Sequence, residues 1–147
     1  MSWLDYPPVW LIAALGLAWA QAELVPLGPG WGWTHGVGGA VALLGAGLML
    51  AALVPFLRAG TTVVPHRQPS ALVVSGVFRI SRNPIYLGDV LILAGLSLRW
   101  EAWLGLVLLP GFVWVLRRRF IEPEEARLRA AFGAEYVAWA ARVRRWV

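Results

Sequence analysis

The sequence contains no cysteine and no lysine. The first absence excludes disulfides, thiolate nucleophiles and cysteine-ligated metals, and the two histidines, His35 and His66, stand too far apart to form a ligand spacing. No metal is therefore expected. Charge of either sign is also scarce: 14% of the 147 residues are charged, against about 25% in an ordinary soluble domain. Apolar residues take that share, at 59% with ten tryptophans, so the composition is that of a membrane protein. All 13 basic residues are arginine, and eight of them follow Leu116. A charge gathered in one tail suits anionic lipid, so membrane lipids are an expected partner and nucleic acid is not.

A membrane helix needs about 20 mostly apolar residues. Pro8–Leu24 and Gly36–Leu57 meet or approach that length, separated by a Pro/Gly turn whose Trp31 and Trp33 suit a membrane interface. Ile85–Leu98 and Ala102–Leu116 are too short to cross upright, but with only Arg99, Trp100 and Glu101 between them they read as a tight helical hairpin. Ala18-Trp19-Ala20 resembles a signal-peptide cleavage site, yet the first residues carry Asp5 and no positive charge, which favours a retained span. Twelve arginines flank the spans on one side and Arg99 alone lies on the other, an asymmetry that puts both termini in the cytoplasm. The expectation is an all-α, polytopic membrane fold of about four transmembrane helices with a cytoplasmic C-terminal helical segment. It forms one domain over residues 1–147, with two spans in 1–57 and the loop, hairpin and C-terminal helices in 58–147.

Two polar clusters interrupt this pattern. In "SRNPIYLGDVL", Ser81 to Leu91, Asn83 and Pro84 read as a helix N-cap and first turn. That leaves Tyr86 and Asp89 unexplained: they share a helical face, and a carboxylate inside an apolar segment is costly unless a polar cavity adjoins it. In "IEPEEARLRAAFGAEYVAW", Ile121 to Trp139, Pro123 opens a helix and Glu124 and Glu125 flank the apolar stripe formed by Leu128 and Phe132. Glu125 has a surface partner in Arg129 four residues on, whereas Glu124 has none at that spacing. Gly133 ends or bends this helix, and Tyr136, Trp139 and the arginines that follow form an amphipathic segment.

"GTTVVP", "LVVSGVFRISRNPIYLG" and "EPEEARLRAAFGAEYVAW", in that order around a short hairpin, resemble the isoprenylcysteine carboxyl methyltransferase and phospholipid methyltransferase superfamily of integral-membrane enzymes, over roughly Arg58 to Val147. The resemblance implies S-adenosylmethionine as cofactor and a lipophilic or lipid acceptor whose receiving group is a carboxylate, amine, hydroxyl or thiol. It implies that Ser70, Ala71, Leu72, Val73 and Phe78 line the cofactor pocket, that Arg82, Asn83, Pro84, Ile85 and Tyr86 close it, and that Glu124 or Glu125 contacts the cofactor. Isoprenylcysteine enzymes carry His where this chain has Asn83, and it looks like bacterial relatives at this point, which implies an inner-membrane location. The family's substrate-side arginine falls at Phe120, leaving Arg119 or its neighbours Arg117 and Arg118 to serve. Where the acceptor needs a base, Glu125 and Asp89 are the candidates. Two other readings stand beside this one: a membrane reductase holding the NADPH 2′-phosphate with Arg142 to Arg145, and a non-enzymatic helical module.

Overall fold

The computed structural model describes residues 6–60 and 70–147; the part of "GTTVVP" beyond Gly60 lies outside them. Among the described residues all regular structure is helical. Helix α1, Pro7–Leu24, opens on two prolines whose fixed φ suits a first turn. Helix α2, Gly32–Ala59, begins four residues before the apolar run does and stops at Gly60, which has a left-handed φ of 59°. A 3₁₀ turn, Gly76–Arg79, leads to α3, Pro84–Arg99. Helix α4, Trp103–Leu116, then runs through a π-helical segment, Arg117–Ile121, into α5, Glu122–Ala140.

That continuity corrects the expectation of a fresh helix start at Pro123. The π segment keeps the chain helical across the proline, and Arg117 and Arg118 grip Glu122 at 2.7 and 3.2 Å on its outer side. Gly133 does bend the helix, with φ 49° and ψ −118°, after which the helix resumes.

Helices α2 and α3 pack backbone to backbone. Gly38 and Gly45 on α2 face Gly95 and Gly88 on α3, so two glycine pairs seven residues apart set one close seam. A Cβ on Gly38 would stand 2.5 Å from the Gly95 carbonyl oxygen, and one on Gly45 would stand 2.7 Å from that of Gly88. Small residues at such a seam are how helices associate where no water drives them together. The outer faces are apolar: Ile12, Leu43, Leu50, Leu57, Val107 and Trp114 are all exposed. Among the described residues one helix, Gly32–Ala59 at 28 residues, is long and apolar enough to cross a membrane by itself.

The turn between α3 and α4 is pinned to the start of α2. Glu101, at a positive φ of 52°, accepts the Gly30 N–H at 2.8 Å and lies 2.9 Å from the Thr34 hydroxyl. Arg99 donates to the His35 carbonyl at 2.8 Å, and Gln21 of α1 accepts the Leu104 N–H at 3.0 Å.

Candidate functional site

At the other end of the bundle the N-terminus of α3 meets α5 and the C-terminal segment. Asn83 occupies the N-cap position of α3 yet makes no capping hydrogen bond. Its amide donates instead to the Arg145 carbonyl at 3.0 Å, and the Arg82 N–H donates to the Arg144 carbonyl at 3.0 Å. The tail is thereby folded back over the start of α3. The Trp139 indole N–H, donating to the Phe78 carbonyl at 3.1 Å, fixes α5 to the 3₁₀ turn.

Beside these contacts lies a cavity of about 290 Å³. Arg82, Asn83, Pro84, Ile85, Tyr86 and Asp89 line it from α3 and the residue pair before it, with Phe78 from the 3₁₀ turn and Glu124 from α5. The Tyr86 hydroxyl donates to Glu124 at 3.2 Å, joining two residues 38 positions apart across the wall. Asp89 is buried, at 3% exposure, and faces the same space. Arg82 has its Nε buried with no hydrogen-bond partner, although its Nη1 donates to the Tyr136 hydroxyl at 3.3 Å.

Glu125 stands apart from the cavity lining. Arg145 holds its carboxylate with two hydrogen bonds of 3.0 and 2.7 Å, and Arg82 approaches at 3.5 Å. This ion cluster replaces the surface pairing expected with Arg129, whose guanidinium lies over the Tyr136 ring at 5.8 Å. The Glu125 hydrogen bonds hold Arg145 above the usual arginine range, so that cation is permanent. Burial, and then the Glu125 charge, push the Tyr136 phenol up, so it stays protonated and serves only as a fixed hydrogen-bonding group.

The remaining expected site residues lie elsewhere. Val73 is buried in an apolar cluster with Ala52, Tyr136, Trp139 and Val143, Leu72 packs against it, Ala71 is half-buried and Ser70 is exposed. None of these four is in the cavity wall. Arg119 sits over the Trp10 ring at 5.5 Å and is not in the cavity wall, and Phe120 is buried against Tyr86 with ring centroids 6.3 Å apart. The cavity also takes Tyr6 from just before α1, Pro7 and Pro8 from α1, and Met49 and Phe56 from α2. Sequence reasoning missed these five. Tyr6 before a double proline was the one visible signal, since Met49 and Phe56 look like any other apolar residues of a span.

The donor set is that of a site for a molecule carrying both charges: two carboxylates, one guanidinium and an aromatic edge around a concave space. A model of the phospholipid methyltransferase family matches residues 33–135, and the chain belongs to that family. The match takes in almost all of α2 as well as the cavity-lining elements that follow, so the family relation reaches further toward the N-terminus than the motifs after Arg58. Membership makes the chain a methyltransferase of lipid-type substrates in a membrane-associated family. No curated protein and no solved structure matches it.

Proposed function

We propose that this chain is an integral-membrane enzyme that uses S-adenosylmethionine to methylate the polar end of a lipophilic acceptor in this cavity. The observation that carries the reading is the Tyr86–Glu124 contact, which holds a carboxylate at the wall of a concave space also lined by Asp89 and Arg82. These residues fit the cofactor: Glu124 and Asp89 suit its cationic sulfonium and α-amino groups, Arg82 suits its carboxylate, and Phe78 and Phe56 offer an apolar wall for the adenine. When bound, the sulfonium would supply an electrophilic methyl carbon for direct displacement, the acceptor–carbon bond forming as the carbon–sulfur bond breaks and the neutral thioether leaves. The chain's own residues bind, orient and exclude water. Tyr86 holds Glu124 in one orientation; Asp89 takes the proton when the acceptor is an amine or hydroxyl, and a carboxylate or thiolate acceptor needs no base.

The family match favours this reading over NADPH reduction. The 2′-phosphate cradle that reduction needs is also depleted, because Arg145 is committed to Glu125. Calorimetry on the detergent-purified protein separates the two: saturable binding of S-adenosylmethionine or its demethylated product is expected, and binding of NADPH alone overturns the reading.

Four membrane-crossing helices with both termini in the cytoplasm belong to the same proposal. The apolar outer faces of α1, α2 and α4 and the side-specific arginines support it. Because α3 and α4 have only 16 and 14 residues, the bilayer thins around their hairpin or the hairpin leans on α1 and α2. Reporter fusions at Val147 and at Gly30 are expected in opposite compartments. The same compartment for both would defeat this topology.

A further inference from the structure

We propose that an acyl chain of the acceptor lies in the outer groove between α2 and α3, and that Met49 is the sill over which it leaves the cavity. This rests on the methyltransferase reading above. The groove, about 370 Å³, is lined by Ala46, Met49, Leu50, Leu53, Ile85 and Ile92, all apolar. Met49 and Ile85 line the cavity as well, so the two spaces adjoin with one side chain from each helix between them.

Size forces the question of an exit. A cavity of about 290 Å³ lies at the lower bound of ligand pockets, about 300–1,000 Å³, and cannot hold a cofactor together with a lipid's hydrocarbon. The polar end belongs with Arg82, Asp89 and Glu124, so the chain must lie outside. The groove is an adjoining space with no polar lining, and its Leu50 and Leu53 are exposed, at 66% and 38%, so it opens outward toward hydrocarbon.

Met49 is suited to its position. Gly88 on α3 has no side chain, and a Cβ there would fall on the Met49 Cγ, so the thioether fills the space the glycine leaves open. Methionine is unbranched and turns about three bonds, so it can swing aside with no backbone movement. Ile85, β-branched and stiff, is the fixed side of the opening. Because bilayer tails are as apolar as the groove, seating a chain there gains little affinity. The groove instead sets where the reacting head group sits, so the informative measurement is one of position.

The full-length protein is reconstituted in nanodiscs containing a diacyl phospholipid with a diazirine halfway along one chain, irradiated, and its crosslinks are mapped by mass spectrometry. Labelling of Leu50, Leu53 and Ile92 is expected to exceed that of Leu43 and Leu44, which are exposed on α2 at 75% and 64%, more than Leu53, but lie off the groove, by roughly tenfold. Leu53→Trp should remove that excess, and Leu43→Trp, of the same bulk on the same helix, should leave it intact. Labelling spread evenly over the exposed leucines, or unaffected by Leu53→Trp, overturns the proposal. Should Leu53→Trp lower the thermal midpoint, Ala46→Leu fills the same groove with less added volume, and the wild-type pattern decides without either variant. The crosslink does not depend on methyl transfer. Groove labelling in a protein that binds no S-adenosylmethionine keeps the chain seat and removes the cofactor reading; cofactor binding with even labelling does the reverse.

Discussion

The two ends of the bundle are both crowded with polar groups, but they differ in what those groups face. At the α3–α4 turn the Glu101 carboxylate takes the Gly30 N–H and lies against Thr34, Arg99 finds the His35 carbonyl, and Gln21 serves both Leu104 and Val25. Backbone donors that a helix start leaves open are used there, and the cluster acts as a staple. At the α3–α5 end Glu125 is consumed in the same way by Arg145 and Arg82. Beside it, however, Glu124, Asp89 and Arg82 line a cavity, whereas the one unmatched buried group at the turn among the described residues, Ser97 Oγ, is packed against Gly105. Polar density alone does not mark a site. Polar groups that line a concave space large enough for a ligand do so.

Removing Glu125 should test the staple half of this comparison with the largest effect. Its side chain is only 17% exposed, and those of Arg82 and Arg145 are 15% and 28% exposed, so Glu125→Gln leaves two cations close together without their anion. A loss of about 3 kcal/mol of stability follows from breaking such a pair, and it is read as a lower thermal midpoint in detergent. If the midpoint holds and cofactor affinity falls instead, Glu125 belongs to the cavity chemistry and the division drawn here is wrong.

Glu124 makes the opposite prediction. Glu124→Gln should weaken S-adenosylmethionine binding by about 1–3 kcal/mol, the range for a hydrogen bond to a charged group, with the midpoint nearly unchanged. Calorimetry and thermal unfolding on the same preparation read both quantities. Tyr86→Phe should shift affinity the same way by less, because it removes the group that orients the carboxylate and leaves the carboxylate in place.

Asn83 distinguishes a tail clasp from a helix cap. Asp caps helices as well as Asn does but cannot donate an amide hydrogen bond. Since the Asn83 amide holds the Arg145 carbonyl and caps nothing, Asn83→Asp and Asn83→Ala should both cost about 1 kcal/mol and speed amide hydrogen exchange in residues 141–147. Stability preserved in Asn83→Asp, with exchange faster in the first turn of α3 for Asn83→Ala alone, would restore the capping account.

This contrast also explains what was legible in the sequence. The four apolar helices could be read because their length and hydropathy are local properties; α2 was started late because "GWTHG" looks like a turn, and only the Thr34 N–H bond to the Trp31 carbonyl reveals a helix there. Tyr86 and Asp89 could be found because they are polar inside an apolar segment, and Glu124 because it flanks the apolar stripe of its helix with no cation four residues on. Spacing offers Glu125 only Arg129, beside its candidacy for the cofactor, whereas its partner Arg145 is 20 residues away and arrives because Gly133 bends α5 and the tail folds back. The walls contributed by Met49 and Phe56 depend on which face of α2 turns inward. That rotation is set by the glycine seam with α3, a pairing that no single-helix pattern contains.

The smallest expected effect comes from acid at the staple end. Hydrogen bonding from the Gly30 N–H, with Thr34, Trp31 and the nearby His35 adding to it, holds Glu101 below the ordinary carboxylate value of 4.5. A carboxylate whose folded-state value is depressed contributes stability that is fully present above the unfolded value and is lost as pH falls through the folded one. Thermal midpoints recorded from pH 7 downward should therefore be flat at first for wild type and then decline below about pH 4.5. Glu122, held low by Arg117 and Arg118 at the other end, titrates in the same direction, so the wild-type curve alone does not isolate the turn. The difference between wild type and Glu101→Gln does: it should be constant above that pH and shrink below it, while the corresponding difference for cofactor affinity stays at zero throughout. An affinity that follows Glu101 would mean that the staple communicates with the cavity along α3, and that the two ends are not separate devices.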